Sequence, residues 1–192
     1  MTTVFIGGSM NIKHLDPVVK ERINNVVSSG FEVVVGDADG ADTSIQQYLF
    51  SLGHSKTTIF CSGTQPRNNV GGWPIHAVNT AFAQGSRAFF TAKDIAMAEI
   101  ADFGLMIWDT KSTGTLSNVI ELLSRNKKSV VFVNKEKTFR NVCKVEQLEM
   151  LLGCMSDHAR KKAEDKIGLS DRIASLKHVQ SELFCFDPGT GN

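Results

Sequence analysis

Residues 101–123 read ADFGLMIWDTKSTGTLSNVIELL, and their order decides the fold. Residues 103–108 are a short, almost continuous apolar run, as expected of a strand buried on both faces of a parallel sheet. A polar stretch beginning at Asp109 then leads into Ser112-Thr113-Gly114-Thr115, and helical apolar spacing follows over residues 115–124. A turn of small residues between a strand end and a helix start exposes unpaired backbone N–H groups beside the positive end of the helix dipole. Such a turn suits an anion such as a phosphate.

The same strand, small turn and helix recur upstream. Residues 3–6 form a first strand closing on Gly7-Gly8-Ser9, and a helix over 15–29 carries Leu15, Val18, Val19, Ile23, Val26 and Val27 before stopping at Gly30. Residues 31–35 form a second strand that ends in Gly36-Asp37-Ala38-Asp39-Gly40-Ala41-Asp42, with a helix through Ile45, Tyr48, Leu49 and Leu52 behind it. A third strand at 57–61, a helix at 91–100 and a last strand at 129–133 complete the series. This alternation predicts an α/β domain: a doubly wound, mainly parallel, five-stranded Rossmann-like sheet with right-handed crossovers. The loops after Ile6, Val35 and Trp108 then converge beyond the strand C-termini, where ligands of such sheets sit.

Two regions depart from the alternation. Residues 62–87 are polar, contain glycine and proline, and show no period, which marks a lid or binding loop. From 136 onward the chain reads as helical, over 146–155 and 157–184, with its charges nearly balanced. The expected division is a Rossmann-like domain at 1–135 and a helical extension at 136–192. The extension packs on the sheet or on a second subunit, giving a homodimer or higher homo-oligomer. The tail from Asp187 is expected to fray.

Composition narrows the function classes. The 192 residues carry a net charge of +1 with 42% hydrophobic and 21% charged residues, ordinary values for a soluble globular protein. Nothing in that balance calls for a nucleic-acid or membrane partner, so neither is expected. The four cysteines are scattered without a C-x-x-C pair, which argues against a metal or redox motif and fits a reducing cytoplasm.

Each candidate residue has a plain and a functional reading. Gly7, Gly8 and Ser9 form a tight turn or part of a ligand loop. Asp37, Asp39 and Asp42, spaced among glycines with Gly40, can hold ribose hydroxyls or a divalent metal, or cap the following helix. Arg67 can clamp phosphate, while Trp73 can stack on a base or merely pin the loop. Phe89 and Phe90 read as core or lid packing. Asp94 and Asp109 are carboxylates placed to face the same cleft.

The pattern Phe90-x-x-Lys93-Asp94-x-x-Met97, then Ala101-Asp102, a strand, Asp109 and Ser112-x-Gly114-Thr115 resembles the SLOG superfamily over residues 3–134. That superfamily gathers the LOG phosphoribohydrolases, DNA-processing-protein-A-type domains and many uncharacterised ligand-binding proteins. The arrangement is also similar to nucleoside 2-deoxyribosyltransferases, and Gly36–Asp42 resembles the G-x-A-x-G-x-D loop of a small SLOG branch. LOG enzymes carry P-G-G-x-G-T-x-x-E, whose threonine and backbone hold phosphate and whose glutamate is catalytic. Gly114 and Thr115 match, but the glutamate position falls on Asn118, and an amide is neither nucleophile nor general base. The family arginine falls on Lys93, which lacks the planar fork. Glu121 is the nearest carboxylate.

The resemblance thus implies binding or sensing of a nucleotide or nucleotide-derived small molecule at the sheet's C-terminal edge, with no certain cofactor. The ligand set would be Gly7, Gly8, Ser9, Asp37, Gly40, Asp42, Arg67, Lys93, Ser112, Gly114, Thr115 and Asn118. The alternative is an N-glycosidic hydrolase or transferase using Asp94, Asp109 or Glu121.

Overall fold

The computed structural model describes residues 1–184, with side chains described through Val179; the expected fraying from Asp187 lies outside the described residues. The chain runs β1 (Thr3–Gly8), α1 (Pro17–Ser28), β2 (Glu32–Gly36), α2 (Ala41–Ser51), β3 (Thr57–Ser62), β4 (Ile75–Val78) and α3 (Arg87–Ile100). It continues with β5 (Phe103–Trp108), α4 (Thr113–Ser124), β6 (Lys128–Val133), β7 (Thr138–Val142), α5 (Val145–Leu152), α6 (Asp157–Ile167) and α7 (Leu169–Phe184). The sheet order is β4-β3-β2-β1-β5-β6-β7. All neighbours pair in parallel except β6 and β7.

The expected α/β class and Rossmann-like parallel sheet are present, but the sheet has seven strands, not five. The two additional strands are its edges. β4 lies inside the segment expected as a loop, and all but one of its residues are exposed. β7 reads TFRNV and buries only Val142, so neither edge offers the apolar run that marks a central strand. The segment after 135 therefore opens with a sheet strand before its helices. The helix expected over 157–184 is two helices, broken at Gly168, whose φ of 58° is left-handed backbone that glycine adopts without a Cβ penalty.

Alternation along each central strand divides the core. Val4, Ile6, Val33, Val35, Leu105 and Ile107 face α1 and α2, together with Ile23, Ile45 and Leu49. Phe5, Val34, Met106 and Trp108 face the other side, where α3, α4, α5 and α7 contribute Met97, Leu116, Leu148 and Leu176. Each fully buried aliphatic side chain of this kind contributes about 1.5–3 kcal/mol. The strand order turns between β1 and β5, because β1 leads to β2 on one side while β5 and β6 lie on the other. That is the switch point where the loops after β1 and β5 part and leave a crevice.

Candidate functional site

The crevice at the switch point is a cleft of about 600 Å³. It is lined by Gly8 at the end of β1, Met10 and Asn11 after it, Ala38 and Asp42 after β2, and Arg67 from the long loop. Arg87, Phe90, Thr91, Lys93 and Asp94 of α3 and residues 111–115 with Asn118 form further walls, and Lys162 and Lys166 reach it from α6.

The floor is built by hydroxyls. Ser9 is fully buried and its Oγ lies 3.2 Å from Thr115 Oγ1, while accepting the Asp109 N–H at 3.1 Å. Thr115 Oγ1 donates to Ser112 Oγ, and Ser112 caps α4 by accepting from the Thr115 N–H. Capping leaves the Thr113 and Gly114 N–H groups at the helix start with no intrahelical acceptor.

One wall is a buried ion network. Lys93 is 4% exposed, and its Nζ lies 2.7 Å from Asp94, 3.9 Å from Asp37 and 4.0 Å from Asp42. Burial pulls the Lys93 ammonium down, but Asp94, Asp42 and Asp37 together outweigh it and hold the group charged. Asp37, 3% exposed, takes the Arg67 guanidinium as a fork, through Nη2 at 2.7 Å and Nε at 3.1 Å, plus the Arg67 backbone N–H at 3.0 Å. Burial alone would raise the Asp37 carboxyl, yet these bonds and Lys93 bring it below its ordinary value. Asp42 has weaker company: burial pushes it up to about 6 against the pull of Lys93, and Asp94 adds to the rise.

Two glycines make this network possible. A Cβ on Gly36 would collide with Asp42 Oδ2 and Lys93 Nζ, and one on Gly40, at φ 82°, would collide with the Met10 backbone. Gln46, missed from the sequence, ties the loops by donating to Gly36 O at 2.8 Å and accepting the Val70 N–H at 3.0 Å.

The opposite wall differs. Arg87 donates to Thr113 Oγ1 at 3.3 Å, and burial together with nearby Arg172 lowers its proton affinity. Among the described residues no carboxylate forms an ion pair with Arg87, Lys111, Lys162 or Lys166. Phe90 is 36% exposed, and the Arg67 guanidinium lies 4.7 Å from its ring centroid.

Nine candidates from the sequence line the cleft: Gly8, Asp42, Arg67, Lys93, Asp94, Ser112, Gly114, Thr115 and Asn118. Ser9 and Asp37 support it from beneath, and Gly40 starts α2 without a side-chain cap bond. Gly7 precedes the turn within β1. Asp42 stands inside the first turn of α2 and accepts the Ala38 N–H at 3.4 Å. Two carboxylates lie elsewhere. Glu121 pairs with Arg125 and with Arg172 of α7, so it fastens the tail to α4. Asp109 accepts the Lys111 and Ser112 N–H groups and the Asn11 amide, which outweigh its burial and lower its proton affinity. Trp73 is a pin: it is buried and its Nε1 donates to His54 O at 2.9 Å. Among the described residues no group of three or more His, Cys, Asp or Glu side chains is arranged to hold a metal.

Arg87, Lys111, Lys162 and Lys166 were not legible as site residues. The cap Ser86 one residue before Arg87 was the available signal, since it places the α3 start at the crevice. The lysines gave none.

No family model and no curated protein matches the chain. Among solved structures the chain is similar to DNA processing protein A from Helicobacter pylori, described for a unique mode of single-stranded DNA binding. The likeness has a TM-score of 0.50 at 18% identity, over 68% of this chain and 64% of that one. The chain thus matches less than two thirds of that protein, and at this identity the likeness concerns the fold. It agrees with the expected Rossmann-like sheet. It also overturns the expectation that nucleic acid is not a partner, because a protein of this fold is described by its single-stranded DNA binding. Net charge misled because a chain-wide sum of +1 hides a local excess of cations at the cleft. The expectation of a nucleotide-type small molecule is corrected with it. N-glycosidic cleavage gains no support either, with Asn118 at the glutamate position and Glu121 held in ion pairs. No described helix is long and apolar enough to cross a membrane.

Proposed function

We propose that the cleft at the switch point binds a single strand of nucleic acid. The observation that carries this is the cation wall: four basic side chains with no carboxylate partner among the described residues, beside a helix N-terminus whose first N–H groups have no intrahelical acceptor. A backbone phosphate seats at Thr113 and Gly114, with Arg87 and Lys111 around it. Phe90, backed by the Arg67 guanidinium, offers a half-open ring on which a base stacks, a contact that tolerates any base. A duplex fits less well, because its bases are already stacked on one another and leave no face for Phe90.

The test is fluorescence anisotropy of a labelled ten-residue oligothymidine against a duplex of equal length, in about 50 mM salt. The wild type is expected to prefer the single strand. The double variant Arg87→Ala/Lys111→Ala is expected to bind it at least tenfold more weakly, since two phosphate contacts vanish. A wild type that binds no strand, or a double variant of unchanged affinity, would sink the proposal.

A further inference from the structure

Resting on that function for the cleft, we infer that α6 is part of the binding surface. Lys162 and Lys166 carry the strand's backbone onward from the phosphate seat at α4. The tail is then a working wall of the site as well as a brace for the fold.

Three observations support this. First, Lys162 and Lys166 are four residues apart and both line the cleft, so they stand one above the other on a single helical stripe. Their Cβ atoms are separated by about 5–6 Å, comparable to successive phosphates on an extended strand. Second, among the described residues no acidic side chain of α6 forms an ion pair with either lysine. Glu164 is turned to the start of α7, where it accepts the Ser170 N–H at 2.9 Å and the Ser170 hydroxyl at 2.7 Å. Third, α6 is held in position. Ala159 and Ala163 are buried, Ser156 caps the helix, and Arg160 donates to Leu152 O at 3.0 Å. Arg172 of α7 bonds Ser117 Oγ at 2.7 Å and pairs with Glu121, which anchors the tail to the helix that begins at the phosphate seat.

The ligand class follows from the spacing of charge. A free mononucleotide carries its phosphates together at one end, where the α4 terminus and Arg87 suffice to hold them. Two more cations on a separate element, with no carboxylate partner among the described residues, call for further phosphates along the same molecule, and a single strand supplies them.

The experiment measures oligothymidine binding across a salt series for the wild type and for Lys162→Ala/Lys166→Ala. A control, Lys161→Ala/Lys135→Ala, removes the same charge at exposed positions outside the cleft. The tail variant is expected to lose about tenfold in affinity at low salt, and its slope of log K against log salt should shrink by about 1.4, or about 0.7 per lost phosphate contact. The control should keep both values, and thymidine monophosphate should bind wild type and tail variant alike. An unchanged slope in the tail variant, with wild-type binding intact, would overturn the role of α6 while leaving the cleft's function standing. Equal loss of monophosphate binding would overturn it too, by placing the lysines at the α4 seat. A wild type that binds no oligonucleotide removes the function of the cleft itself.

Discussion

The two walls of the cleft are both rich in arginine and lysine, yet they spend that charge differently. On the β2 side, Lys93 and Arg67 are consumed by Asp37, Asp42 and Asp94. On the α4 and α6 side, Arg87, Lys111, Lys162 and Lys166 have no carboxylate among the described residues. The first wall holds the loops in place, and the second is available to a ligand. Counting basic residues would mark both walls as basic. Only the pairing separates them.

Breaking the closed wall should have the largest effect. Lys93→Met removes the ammonium that three carboxylates share, and the fold is expected to lose about 3–5 kcal/mol in urea unfolding at neutral pH. The loss should be smaller near pH 5, where Asp42, with its value of about 6, already carries a proton. Equal losses at both pH values would show that Asp42 does not answer to Lys93.

Next in size is the pH profile of the same wall. The folded-state value of Asp42, about 6, lies above its ordinary 3.8. Its contribution to stability is therefore full below the ordinary value and is lost as pH rises through about 6, on the order of 3 kcal/mol in all. Asp37 is lowered, so its contribution runs the other way: present above the ordinary value and lost as pH falls through the folded one. Asp42→Asn should flatten the falling limb between about pH 4 and 6.5 in urea midpoints and keep the acid limb that Asp37 causes. A variant that retains the falling limb would assign it to another group.

The smallest effect sharpens the boundary between the walls. Phe90→Ala leaves every ion pair intact and removes only the ring over Arg67. Stability should change by less than about 1 kcal/mol, while strand affinity should fall by about fivefold or more, equivalent to roughly 1–3 kcal/mol for a lost stacking contact. The salt slope should stay as in the wild type. A changed slope would mean that Phe90 acts by holding Arg67, not by stacking.

The five central strands were legible because each is a buried apolar run, and the turns after Ile6, Val35 and Trp108 followed from their small residues. The edge strands were hidden for the same physical reason. Ile75–Val78 and Thr138–Val142 pair along one side only and expose most of their side chains, so their composition resembles loop. The site divided similarly. Gly114, Thr115 and Asn118 stood in one local motif and were found with it. Lys162 and Lys166 reach the cleft only through packing of a separate helix pair, a long-range fact with no local signature. Arg67 was recognised as a fork, but its partner is Asp37 of this chain.

The division of the core between two sheet faces has a spectroscopic consequence. The chain has two tryptophans, and they stand on opposite faces: Trp73 beside Ile45 and Leu49, Trp108 beside Leu116 and Val133. Trp73 closes the loop that carries Arg67, while Trp108 Nε1 holds Ser112 O at 3.0 Å, directly under the phosphate seat. Single-tryptophan forms would therefore emit from one wall at a time, and the molecule supplies its own optical gauge for each.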